Sequence, residues 1–177
     1  MQQKIVAIER DCLARRVPNG KKQLISAGEF VTLTQELGGN YTVTWQGNMY
    51  RIDGTDADAI GRKPLLLNFV TPKNDQIDKA QVYQALESIY DPEIPINLMS
   101  LGLIYKVNID QANRSVVIDM TLTAPACGMG PVLLGDVEHR VGMVPNVSTV
   151  RVNLVFDPPW SRDMMSEEAQ LEAGLFF

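Results

Sequence analysis

Three short segments of this chain hold residue types that ligate metals, act as nucleophiles or anchor partners. They are Asp91-Pro-Glu93, Thr123-Ala-Pro-Ala-Cys-Gly-Met-Gly130 and Asp157-Pro-Pro-Trp160. Cys127 carries the sharpest chemistry. It lies in a loop bounded by proline and glycine, just ahead of a predicted helix that opens near Pro131. Backbone N–H groups and the positive end of a helix dipole favour thiolate over thiol, and thiolate is the form that binds metal or attacks an electrophile. Free cysteine also serves as a small buried hydrophobe, so position alone leaves both uses open. Asp91 and Glu93 offer hard oxygen atoms, as ligands or to orient a partner, or else are solvated charges in a helix-ending turn. Thr123 can hydrogen-bond a group beside Cys127 or close a strand-end turn.

The rest of the inventory narrows the chemistry. Two cysteines, Cys12 and Cys127, and one histidine, His139, are too few for a self-contained zinc site or a four-cysteine cluster site. Any metal chemistry must borrow ligands from elsewhere. His139 lies on a predicted helix away from its apolar positions, twelve residues from Cys127, and reads as a surface residue rather than a catalytic base. Nothing around Cys12 indicates activation. Asp53, Asp56 and Asp58 lack the spacing and closing Glu of a calcium loop, and the glycines form no phosphate-binding fingerprint. A net charge of −5 argues against broad attraction to nucleic acid. No signal-like or membrane-length apolar run occurs, so a cytoplasmic chain with no membrane role is expected, and the sequons at Asn40, Asn113 and Asn146 are read as coincidental.

The elements that must position these residues fall into two parts. Residues 1–73 read as a small β-rich unit, with strands at Phe30–Thr34, Tyr41–Trp45 and Met49–Ile52 separated by Gly38-Gly-Asn40 and Gln46-Gly-Asn48, a meander or small barrel. Thr71–Gln76 reads as a linker, with Asp75 as N-cap of a helix carrying Val82, Ala85, Leu86 and Ile89 on one face and stopped by Asp91-Pro92. Strands follow at Leu103–Ile109 and Ser115–Leu122, then a helix from Pro131 with Leu134, Val137 and Val141 on its apolar face. A strand at Ser148–Phe156 and a helix from near Ser161 to Gly174 complete the pattern. Residues 74–177 are thus expected to form a compact helix–strand–strand–helix–strand–helix domain, and the whole chain an α+β or α/β fold.

In this order the motifs resemble the metal–sulfur cluster biosynthesis domain family. The resemblance rests on Ala85–Glu93, Asn97, Leu101-Gly-Leu-Ile104, Leu122–Cys127 and Asp157–Trp160, and covers residues 76–177. Arg10-Asp-Cys12, the Gly20–Gly28 stretch, Thr34–Thr42, Asp56–Ala59 and Met164–Ala169 are similar to the SufT branch, which carries an N-terminal extension. The resemblance implies an accessory role in maturing iron–sulfur proteins without catalytic turnover, with Cys127 as functional thiol and Asp91 and Thr123 beside it. Glu93 belongs to the same motif. Cys127 would ligate an iron ion or iron–sulfur cluster transiently, sharing it with other donors, with no tightly bound cofactor. Partners would be iron–sulfur assembly proteins and apo client proteins, and two chains pairing through the Cys127 edge is a further option. Gly128 departs from the proline that many members carry after the cysteine. The competing reading is a pure protein–protein interaction module that recruits through Trp160 and the acidic C-terminal helix. A PaaD-like oxygenase-assembly role is disfavoured, because that branch has additional cysteines after the position of Cys127 and this chain has none.

Overall fold

The structure is a computed structural model that describes residues 2–91, 94–124 and 128–174. The chain divides into two compact units, Met1–Leu67 with Met129–Gly135, and Asn68–Gly128 with Asp136–Phe177.

The first unit contains a six-stranded antiparallel sheet. Its strands are β1 (Lys4–Ala7), β2 (Cys12–Arg16), β3 (Lys22–Ile25), β4 (Phe30–Leu37), β5 (Asn40–Trp45) and β6 (Asn48–Ile52), in the order β1-β4-β5-β6-β2-β3. The expected meander is β4–β5–β6. Its turns follow from residue type. Gly38 and Gly39 (φ 61° and 80°) join Leu37 to its partner Asn40, and Gln46 and Gly47 (φ 48° and 76°) join Trp45 to Asn48. Two successive left-handed residues match the twist of an antiparallel hairpin. One sheet face buries Cys12, Ala14, Ile25, Val31, Leu33, Val43 and Ile52 against Ala57, Ala59 and Ile60 of a 3₁₀ helix, Gly54–Ile60. The strands β1, β2 and β3 were not expected from the pattern. Each has only four or five residues, with charged residues at one end, and is defined by pairing to a neighbour rather than by its own periodicity.

The second unit is α+β. It contains α1 (Lys79–Glu87), β7 (Ile104–Asp110), β8 (Ser115–Met120), most of the β8–β9 connection including part of α2 (Gly130–Val141), then β9 (Thr149–Leu154) and α3 (Glu167–Ala173). The sheet order is β7-β8-β9, with β7 antiparallel and β9 parallel to β8. A parallel pair requires a crossover, and α2 supplies it. Val116, Ile118 and Met120 on one face of β8 are completely buried, as are Val82, Ala85 and Leu86 of α1 and Val137 and Val141 of α2.

Five sequence expectations are corrected in the second half of the chain. The N-cap of α1 is Asp78, whose carboxylate accepts the Ala80 N–H at 2.9 Å, not Asp75. Ile77 cannot join the helix because the Gln111 amide side chain holds both its N–H and its carbonyl, at 2.8 and 2.9 Å. The helix stops at Glu87, ahead of Asp91-Pro92, where the buried Arg140 guanidinium takes the Ser88 carbonyl. On α2, Leu133 is buried and Leu134 only half-buried. The last expected helix is broken into a 3₁₀ turn, Arg162–Met164, and α3, because the Ser166 N–H donates to the Ser100 carbonyl (2.9 Å) while its hydroxyl caps Ala169. Gly174 ends α3 in a right-handed conformation (φ −58°) rather than a left-handed one. Among the described residues, no helix is long and apolar enough to cross a membrane.

Gly102 (φ 72°) is the tightest backbone position of this unit, because a Cβ there would collide with the Met164 carbonyl. Both the left-handed conformation and that close approach exclude a side chain. Gly102→Ala is therefore expected to cost about 2–3 kcal/mol of unfolding free energy in a denaturant titration.

Candidate functional site

The site begins at the residues that link the three motifs, Ile94–Leu103, which lie between Asp91 and β7. Ile94, Ile96, Leu98, Leu101 and Leu103 are all buried, which makes this stretch part of the core despite its lack of regular structure. Asn97 shapes it locally: its side-chain carbonyl accepts the Ser100 N–H at 2.9 Å and its amide donates to the Ser100 hydroxyl at 3.1 Å. This local bonding lets the stretch spend its backbone groups on neighbours. The Asp91 N–H donates to the Ile96 carbonyl (3.1 Å), and the Leu98 N–H to the Ile89 carbonyl (2.9 Å). The Thr121 N–H reaches the Leu103 carbonyl at 2.8 Å, and Trp160 Nε1 donates to the Leu101 carbonyl at 2.7 Å. One buried segment thereby ties the Asp91 turn, the end of β8 and the Asp157–Trp160 motif together.

Topology brings the same parts to one edge. Because β8 and β9 are parallel, Thr121–Thr123 and Val155–Trp160 leave the sheet at the same end, and antiparallel β7 enters there, with Ile104 opposite Met120. Loops at the carboxyl ends of parallel strands are common binding sites, since helix N-termini and strand ends meet there. Asp91 is buried, and its carboxylate accepts the Ile94 N–H at 2.9 Å, closing the turn in which it sits. Thr123 is half-buried just past the end of β8. Glu93 and Cys127 lie outside the described residues.

Asp157 and Pro158 of the third motif form one wall of an open groove of about 690 Å³ whose lining includes Tyr105, Lys106, Asp119 and Met164. The Tyr105 hydroxyl donates to the Pro158 carbonyl at 2.7 Å, and with the Trp160 bond it fixes the chain after β9. Trp160 is half-buried and committed to this internal bond, so its first role is positional.

Two features of the site had no separate signal in the sequence. The Ile94–Leu103 stretch could have been suspected from its five buried aliphatic residues, but their spacing fits neither a strand nor a helix. Thr121 is completely buried at the end of β8, and its hydroxyl has no hydrogen-bond partner among the described residues. A buried hydroxyl without a partner costs about 1–3 kcal/mol, and nothing in the residue types distinguishes Thr121 from Thr123.

The remaining candidates are placed elsewhere. Cys12 is buried in the first unit, opposite Ile25 in the sheet, and burial pushes its thiol up to about 11, with Asp56 adding to the rise. It is a packing residue. Asp53 caps the 3₁₀ helix through the Thr55 N–H (2.9 Å) and hydroxyl (2.8 Å). Asp56 and Asp58 hold the Arg10 guanidinium at 2.9 and 2.8 Å, and that hydrogen bond keeps the Asp58 carboxyl below the usual carboxylate range. Those three aspartates are structural, and among the described residues no three Cys, His, Asp or Glu side chains are grouped to hold a metal ion.

A small α+β domain, with a cysteine-bearing connection between a strand and its crossover helix, is the class this architecture defines. The chain matches the sequence profile described as iron–sulfur cluster assembly protein over residues 79–154. It is 46% identical over 93 residues to a protein named Fe-S protein maturation auxiliary factor from Porphyromonas gingivalis, covering 52% of this chain and 88% of that one. It is 41% identical to the Fe-S protein maturation auxiliary factor SufT of Staphylococcus aureus, over 49% of this chain and 98% of that protein. A crystal structure of a domain of unknown function from Bacillus anthracis superposes with a TM-score of 0.52 at 37% identity, covering 55% of this chain and 92% of that one. This chain belongs to the iron–sulfur cluster assembly protein family. These relatives correspond to about half of its length.

Two outcomes are expected from this geometry. Thr121→Val removes a buried hydroxyl that has no partner among the described residues, at nearly constant volume, and should raise the unfolding free energy by about 1 kcal/mol, measured by denaturant titration. In the folded protein at neutral pH, Cys12 should resist a thiol-alkylating reagent and become labelled once denaturant is added, as read by peptide mass spectrometry. A thiol titrating near 11 holds almost no thiolate at neutral pH, and burial blocks access.

Proposed function

We propose that this chain is a cytoplasmic, non-catalytic accessory factor in the maturation of iron–sulfur proteins, acting as a carrier or targeting adaptor through Cys127. The observation that carries the reading is its 46% and 41% identity to relatives named Fe-S protein maturation auxiliary factors, over 88% and 98% of their lengths. The chemistry of the sulfur inventory supports the finer part. Cys12 is withdrawn into a sheet core with its thiol raised, so Cys127 is the sulfur left for ligation. A soft thiolate suits iron and iron–sulfur clusters, and the cluster or iron ion is here cargo rather than a resident cofactor.

One cysteine per chain makes ligation shared, with the other donors supplied by an assembly protein, an apo client or a small thiol. A site that lacks a full ligand set can pass its cargo on by ligand exchange. Asp91 and Thr123 act beside this step as positioning residues. Asp91 closes the turn that leads into the buried segment, and Thr123 stands at the start of the cysteine-bearing connection. Glu93 supplies a carboxylate in the same motif as Asp91.

The test is anaerobic reconstitution of wild type and Cys127→Ala with iron and sulfide, followed by transfer to an apo client protein. Wild type is expected to take up iron with a visible absorbance band and to activate the client, and Cys127→Ala to fold normally yet lose uptake by at least about tenfold. Equal uptake and equal client activation by both proteins would overturn the role of Cys127. Client activation by both, with uptake by neither, would establish a pure recruiting adaptor instead.

A further inference from the structure

The three-stranded sheet of the second unit has two edges, and they differ in how they are protected. β7 carries a register break between Ile104 and Lys106, and exposed Lys106 and Asp110 stand along it. A bulge and charged side chains are standard devices against pairing with another strand. β9 has no bulge, and its one charged side chain is Arg151. Its six residues, Thr149-Val-Arg-Val-Asn-Leu154, run in unbroken register with β8, contain no lysine or proline, and end at exposed Leu154, with exposed Phe156 two residues beyond. Among the described residues β9 pairs with β8 alone.

The ladder shows which backbone groups are on offer. The Thr149 N–H donates to the Arg114 carbonyl and the Val155 N–H to the Met120 carbonyl, both toward β8. By alternation Arg151 and Asn153 also face β8, and Val150, Val152 and Leu154 direct their N–H and C=O groups to the open side. We propose that this open edge of β9 pairs antiparallel with the β9 of a second copy of the chain, two-fold symmetric about Val152, to form a continuous six-stranded sheet.

Both the backbone and the side chains select that register. Centring on Val152 sets it opposite its own copy and Val150 opposite the second copy's Leu154, so every outward-facing residue of β9 finds an outward-facing partner. The apolar row of Val150, Val152 and Leu154 continues across the junction and covers the exposed Leu154. On the other face Arg151 comes opposite the second copy's Asn153. In this chain Asn153 donates to the Asp119 carboxylate at 3.0 Å, so each guanidinium meets an Asn–Asp row, twice per dimer. Shifting the centre to Arg151 keeps the backbone pairing but sets two guanidinium groups face to face, which is unfavourable. This inference is independent of any role for Cys127, since it uses only the edge of the sheet.

The experiment is sedimentation velocity of the full chain at rising concentration, with circular dichroism to confirm that each variant is folded. Wild type should show a concentration-dependent dimer. Arg151→Glu, exposed and away from the core, should raise the dimer dissociation constant about tenfold or more by turning two favourable contacts into repulsions. Val152→Pro deletes an N–H that does not serve β8 and should leave a monomer; if it fails to fold, Arg151→Glu decides. A wild type that stays monomeric at every concentration overturns the proposal and leaves the edge for an extended segment of a different protein. A dimer unchanged by Arg151→Glu, or one lost with Asn108→Lys on β7 instead, also overturns it.

Discussion

The second unit depends on a stretch of ten residues that has no regular secondary structure. Ile94–Leu103 buries five aliphatic side chains, and several of its backbone groups are bonded outward to the turn after α1, to the end of β8, to the chain after β9 and to the cap of α3. Irregular backbone is expensive to bury because every N–H and C=O must find a partner. Here that requirement works as a positioning device. Part of the segment is satisfied internally, and each bond that leaves it fixes one of the elements that lead into the candidate site. Five buried aliphatic side chains, each contributing about 1.5–3 kcal/mol by leaving water, hold the segment in place while it does so. Gly102 lets this close approach occur, and Asn97 frees the neighbouring backbone by bonding Ser100 itself.

The cysteine of the first unit is withheld from thiolate chemistry. Cys12 is in a sheet core beside acidic residues, where both desolvation and negative charge disfavour the thiolate. Cys127 belongs to the connection that leaves β8 at its carboxyl end, the end at which β9 also finishes and β7 begins.

Much of this architecture is legible from residue order. The alternation of Val116, Ile118, Met120 and Leu122 marks β8 unambiguously, Gly38-Gly39 and Gln46-Gly47 mark two hairpins, and Val82, Ala85 and Leu86 mark the buried face of α1. What eluded the sequence was set by tertiary partners. β1, β2 and β3 are too short to show a period, and the start of α1 is decided by Gln111, 34 residues away from Ile77. The C-terminal helix is cut by one bond from Ser166 to Ser100. In the site, the residue types of Asp91 and Thr123 were visible, but the bond that gives Asp91 its turn and the buried hydroxyl of Thr121 depend on packing.

The placement of the two tryptophans makes the chain its own pair of optical reporters. Trp45 ends β5 in the first unit, with its indole N–H on the Glu29 carboxylate at 3.1 Å and its ring edge-on to Tyr50. Trp160 lies in the second unit with its indole N–H on the Leu101 carbonyl. Each indole therefore senses a different unit, one through a charged acceptor near solvent and the other through a main-chain carbonyl of the buried segment. Replacing either one by phenylalanine leaves a single emitter, and the fluorescence of the other then follows the melting of its own unit without an added label.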